Sequence, residues 1–112
     1  MSVAAAEYQS LITGRAANES YLLKGVKFDG LIDDVLVDAK SGYGNFVNPA
    51  NGNFHKWFTG KESLLDQARR QLIASEGIQI QWYFQNNAAM QATQKLFNKE
   101  GIKGIDLIFK SN

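Results

Sequence analysis

Phe28-Asp29-Gly30, followed by Val35-Leu36-Val37-Asp38-Ala39-Lys40, is the stretch on which the fold turns. Val35 to Lys40 is rich in β-branched and apolar residues and reads as a strand. Residues two apart on a strand share a face, so Leu36, Asp38 and Lys40 point one way and Val35, Val37 and Ala39 the other. The second set is the expected core. The first set carries opposite charges to one surface at the strand's end. Tyr21 to Phe28 reads as the preceding strand, closed by Asp29, and Gly30 to Asp34 is short enough to be a hairpin connection. That connection brings Asp29 near Asp38, with the cross-strand register left open.

Two carboxylates at this spacing can hold a hard divalent cation. Mg²⁺ prefers oxygen ligands and keeps several waters, so one or two carboxylates and a substrate phosphate suffice. Such an ion stabilises charge on the phosphate and lowers the pKa of a bound water, and a lysine beside it can orient that water or stabilise developing charge. Asp29, Asp38 and Lys40 therefore form a candidate site for phosphodiester hydrolysis. The plainer alternative is a solvated, salt-bridged Asp-x-Lys pair on an exposed strand.

Outward from this stretch the elements alternate. Ala4 to Ile12 reads as a helix ended by Thr13-Gly14. Ser41 to Phe58 is a loop rich in Gly and Asn that holds the only proline, Pro49, and its length suggests a functional role. Thr59-Gly60-Lys61-Glu62 has capping-box spacing and opens a helix that runs to Glu76 and stops at Gly77. Ile78 to Phe84 alternates as a strand, with Trp82 in the core. Asn86 or Asn87 caps a helix through Glu100, ended by Gly101, and Ile105 to Phe109 is the last strand. The predicted order is α-β-β-loop-α-β-α-β, an α/β fold with a mixed sheet of about four strands.

Composition sets the bounds. At 112 residues the chain is read as one domain, residues 1–112, with enough material for a core. A formal net charge of +1 gives no global electrostatic signature of nucleic-acid binding, although a cleft can still be locally basic. The absence of cysteine excludes disulfides and thiolate metal sites, and with a single histidine a tetrahedral zinc site is improbable. No stretch approaches the ~20 apolar residues of a membrane span. The N-terminus, Met-Ser-Val-Ala-Ala-Ala, lacks the basic and apolar regions of a signal peptide.

On the helix after the loop, Leu64, Leu65, Ala68 and Leu72 form the stripe expected to face the sheet. Gln67, Arg70, Gln71 and Ala74 form a neighbouring stripe, whose polar members can reach a phosphate backbone or orient a water, or else make a plain solvated face. His55, beside Lys56 and Trp57, is read as an exposed loop residue rather than a general base. Tyr43, Phe46, Phe54, Trp57 and Phe58 could stack on bases, grip a partner or close a small core, and the last reading is preferred. Asp33 and Asp34 read as turn residues.

Taken in order, Tyr8-Gln9, Ile12-Thr13-Gly14, Gly25 to Gly30, Leu36 to Lys40 with Tyr43 and Phe46, and Gln67 to Gln71 resemble the fifth restriction-endonuclease-fold toxin family of bacterial polymorphic toxins. The resemblance spans about Tyr8 to Phe84. It implies a PD-(D/E)xK nuclease core, with Asp29 and Asp38 as metal ligands, Glu19 as a further ligand, Lys40 as the catalytic lysine and Gln67 as the glutamine on the following helix. From their place on the polar stripe of that helix, Arg70 and Gln71 would contact nucleic acid. The motif's proline is missing, since Phe28 precedes Asp29. The resemblance further implies Mg²⁺ or Mn²⁺ as cofactor, the C-terminal toxic part of a longer secreted effector, action in the target bacterium's cytoplasm, and neutralisation by a cognate immunity protein. DNA is the expected substrate. RNA is the alternative on the same core, and a non-catalytic binding module is the alternative outside it.

Overall fold

The computed structural model describes residues 1–112. Helix α1 (Val3–Thr13) is capped by Ser2, whose hydroxyl accepts from the Ala5 N–H, and ends at Gly14 in the left-handed conformation. Strands β1 (Tyr21–Leu23) and β2 (Val26–Phe28) form an antiparallel hairpin. Strands β3 (Gly30–Ile32), β4 (Val35–Lys40), β5 (Ile80–Phe84) and β6 (Ile105–Phe109) form a four-stranded sheet in that order. The β3–β4 pair is antiparallel, and β4–β5 and β5–β6 are parallel. Helices α2 (Lys61–Ser75) and α3 (Asn87–Glu100) supply the crossovers that parallel neighbours require. No helix is long and apolar enough to cross a membrane.

Two turns correct the expectation for the N-terminal strands. Tyr21 to Phe28 is not one strand, because Lys24 (φ 52°) and Gly25 (φ 78°) both take positive φ and fold it into the β1–β2 hairpin. Gly30 to Asp34 is not only a connection. Its first three residues pair with β4, and Asp33 (φ 50°) and Asp34 (φ 65°) make the tight turn expected of them. The Gly30–Val37 pairing sets Asp29 immediately beside Asp38.

The burial of β4 is a second correction. Leu36, Asp38 and Lys40 face inward rather than to a solvated surface, and of the opposite set only Val37 is fully buried. Both faces of the sheet are covered. Leu36, Ile80, Trp82 and Phe84 pack with Leu64, Leu65 and Ala68 of α2 and with Phe97 of α3, while α1 packs on β3 and β4. A strand between two layers has no solvent face on which to put its charges.

The capping box at Thr59 does not form. The N-cap of α2 is Gly60, with no side-chain cap bond. An added Cβ at Gly60 would lie 2.4 Å from the Phe58 ring, so the close approach of that ring decides the residue. The long loop is partly ordered by a 3₁₀ turn at Gly44–Phe46 and a bridge between Val47 and Phe54. Its aromatics extend the main core rather than close a small one of their own, with Phe46 stacked on Phe58 at 4.3 Å between ring centroids and Phe54 at 5.1 Å from Phe58. Trp57 stays exposed and stacks on His55.

Candidate active site

Asp29 and Asp38 are locked together by the hairpin backbone. The Asp29 N–H donates to Asp38 Oδ1 at 2.9 Å, and the Ala39 N–H donates to Asp29 Oδ2 at 2.8 Å. Each strand thus orients the other strand's carboxylate, leaving little side-chain freedom to lose when a ligand binds.

The second Asp38 oxygen is the hub of a buried polar network. Lys40 Nζ donates to Asp38 Oδ2 at 2.9 Å and to Gln67 Oε1 at 2.5 Å, while Gln67 Nε2 donates to the same Asp38 oxygen at 2.7 Å. Lys40 Nζ also lies 4.4 Å from the centroid of the Trp82 ring, whose negative face favours the cation. Gln71 supports the set from beneath. Its Nε2 reaches Asp38 Oδ2 at 3.4 Å and the Lys27 carbonyl at 3.3 Å, and its Oε1 accepts from Trp82 Nε1 at 2.8 Å. No buried side-chain polar atom is left without a partner. That completeness is what makes a buried Asp38–Lys40 ion pair tolerable.

These residues open onto a cleft of about 250 Å³. Asp29, Asp38, Lys40 and Gln67 line it, together with Lys27, Tyr43 and Gln9 of α1. Burial first, and the Asp38 charge second, push the Asp29 carboxyl up to about 6, against the opposing pull of the Ala39 N–H, Lys40 and Lys27. Two carboxylates held side by side at this cost offer oxygen ligands to a divalent cation, which would offset the charge that Asp29 carries beside Asp38. The donor set is hard oxygen, and two carboxylates with water are enough for Mg²⁺ or Mn²⁺.

The remaining predicted residues fall elsewhere. Glu19 is exposed, pairs with Arg15 at 3.8 Å and lies in a separate depression on the other side of Asp29. No group of three acidic or histidine side chains gathers, so the fold does not bring Glu19 to the carboxylate pair. Gln71 is fully buried and cannot touch a nucleic acid, because its amide is spent on Trp82, Lys27 and Asp38. Arg70 is exposed, with its Nε donating to the Asp66 carbonyl, and does not line the cleft. Lys27 is a cleft residue that the sequence reading does not single out, although it stands two residues before Asp29, the spacing that puts side chains on one face of an extended chain. Trp82, read as core, is also the platform under Lys40.

A sequence model of the family described as restriction endonuclease fold toxin 5 matches residues 5–87. The chain belongs to that family. The matched segment runs from α1 through β5 and takes in Asp29, Asp38, Lys40 and Gln67. The mixed α/β architecture is that of a restriction-endonuclease-like fold, and the family is one of nuclease toxins acting on nucleic acid. Comparison with curated proteins finds no significant match.

Proposed function

We propose that this domain is a metal-dependent endonuclease that hydrolyses phosphodiester bonds in DNA. The observation that carries the reading is the Asp29–Asp38 pair, cross-held by backbone N–H groups in an open cleft with Lys40 and Gln67 on the second carboxylate. Asp29 and Asp38 would hold the Mg²⁺ or Mn²⁺ ion. The bound ion would supply charge stabilisation at the phosphate and a more acidic water. Lys40, fixed by Asp38, Gln67 and the Trp82 ring, presents a positive charge at the edge of the cleft, where it stabilises charge developing on the phosphate oxygens. Gln67 fixes the lysine and, with its remaining amide hydrogen, would orient a water. Lys27 adds a second cation to the cleft wall and guides the phosphate in.

Membership of a toxin family supports a wider reading. The domain would be the toxic part of a longer effector delivered between competing bacteria, acting in the target cytoplasm and held in check by an immunity protein in the producing cell.

The test is incubation of the purified chain with supercoiled plasmid and, separately, total RNA, with Mg²⁺ or with EDTA, beside Asp38→Asn. Metal-dependent nicking of plasmid that the variant loses is the expected result. Cleavage of RNA alone would replace the substrate, and cleavage of neither by folded protein with metal would overturn the enzymatic reading.

A further inference from the structure

A second cavity, of about 270 Å³, lies between the aromatic loop, the start of α2 and α3, and has a different character. Four lysines line it: Lys56 from the loop, Lys61 from the start of α2, and Lys95 and Lys99 from α3. Asn51 and Asn53 add amide groups, and no carboxylate contributes to the wall. In a chain of net charge +1 with twelve basic residues, this is a marked local excess of positive charge.

The arrangement carries a cost in the free protein. Lys95 and Lys99 are an i, i+4 like-charge pair, which destabilises a helix by roughly 0.2–0.5 kcal/mol. The nearby acid Glu100 does not relieve it, because Glu100 pairs with Arg69. Lys95 Nζ donates to the Asn51 carbonyl at 2.9 Å, which fixes the loop against α3 and holds the cavity's shape. A pocket with lysine donors and amides on its wall and no acid is complementary to an anion bearing several oxygens.

Its position relative to the catalytic cleft indicates which anion. Lys61 and Gln67 stand on the same helix six residues apart, about 9 Å along the axis and about 120° apart around it. The loop aromatics bridge the same gap. Tyr43 lines the cleft, Phe54 lines the lysine pocket, and Phe58 touches both rings at centroid distances of 6.3 and 5.1 Å. A nucleic-acid strand advances about 3.4 Å per nucleotide along a duplex, so a strand following the surface around α2 can reach from one cavity to the other.

We propose that the Lys56–Lys61–Lys95–Lys99 pocket is a second contact for the nucleic-acid substrate, taking backbone phosphates a few nucleotides from the bond cut at Asp29 and Asp38. The proposal rests on the nuclease reading above. It explains how a nearly neutral domain grips a polyanion: the charge that binds is concentrated away from the two carboxylates, which would otherwise repel the substrate.

The test uses the whole chain and Lys56→Gln/Lys99→Gln, two exposed positions whose replacement leaves the Lys95–Asn51 contact in place. Binding of a fluorescent DNA duplex is followed by anisotropy in EDTA across 50 to 200 mM KCl, with Lys56→Arg/Lys99→Arg as the charge-keeping control. Loss of two phosphate contacts should flatten the slope of log K against log salt by about 1.8, so the wild type loses about 12-fold more affinity than the variant over that range. In plasmid cleavage with Mg²⁺, KM should rise while kcat holds, and the arginine variant should behave as wild type. An unchanged slope and KM, in a chain that binds and cuts DNA, would overturn this inference alone and turn attention to an acidic protein partner for the pocket. A wild-type chain that neither binds nor cuts nucleic acid would overturn the nuclease reading, and this inference with it.

Discussion

Replacing Asp29 with Asn should make the metal-free protein more stable at neutral pH. The Asp29 carboxyl titrates near 6 in the folded chain, against an ordinary value of 3.8, because burial and the Asp38 charge disfavour its ionised form. Well below pH 4 the group is protonated in both folded and unfolded chains and contributes nothing. Between about 4 and 6 the folded chain holds the proton that the unfolded chain has released, so stability falls as pH rises, and above about 6 the full loss is present. Converted directly, the shift amounts to about 3 kcal/mol. The carboxylate is partly open to solvent, so about 1–2 kcal/mol is the expected gain from the variant, or about 4–8 °C in Tm. Asparagine can still accept the Ala39 N–H, so the change removes charge with little loss of geometry. The assay is urea unfolding in EDTA at pH 4 and pH 7.5, followed by the fluorescence of Trp82, which is fully buried when folded. The variant should exceed wild type at pH 7.5 and nearly match it at pH 4. A variant no more stable at pH 7.5, or a difference independent of pH, would refute the claim that burial and the Asp38 charge disfavour the Asp29 carboxylate in the folded chain. Added Mn²⁺ should raise the wild-type Tm more than the variant's, since only the wild type has both negative charges to neutralise.

The other predictions concern the same network. Apparent Mg²⁺ affinity should fall about tenfold per unit as pH drops below about 6, because the metal must displace the Asp29 proton, and calorimetric titration at several pH values checks this. Lys40→Met strands the Asp38 carboxylate without its counter-ion and should cost about 3–5 kcal/mol in urea unfolding, with plasmid cleavage by the folded fraction down about 10²–10³-fold. Gln71→Ala orphans the Trp82 indole N–H and should cost about 1–3 kcal/mol, visible as a lower urea midpoint at unchanged m-value. Gly60→Ala drives a methyl into the Phe58 ring and should lower stability by about 1–3 kcal/mol in a thermal melt, whereas an unchanged Tm would mean that the ring moves freely.

Much of this protein is legible in its sequence because its signals are local. Alternation identifies β4 and β5, glycines end α1 and α3, and the Leu64–Leu65–Ala68 stripe identifies the buried face of α2. Asp29, Asp38 and Lys40 could be singled out by residue type and spacing alone. The hairpin at Lys24-Gly25 was less legible, because a turn of two residues with positive φ can hide inside an apolar run when one of them is lysine. What only the tertiary structure decided is which polar side chains meet and which are sealed. Helical period places Gln67 and Gln71 on one stripe, yet Gln67 reaches the cleft while Gln71 lies under Trp82 with no surface exposed. Strand alternation gives Asp38 and Lys40 a common face, but only the packing of α2 and α3 over that face turns a surface pair into a buried one. Glu19 and Lys27 exchanged importance for the same reason. Residue type and spacing specify what a side chain can do, and long-range packing, set by contacts across tens of residues, specifies what it stands beside and how much water is left around it.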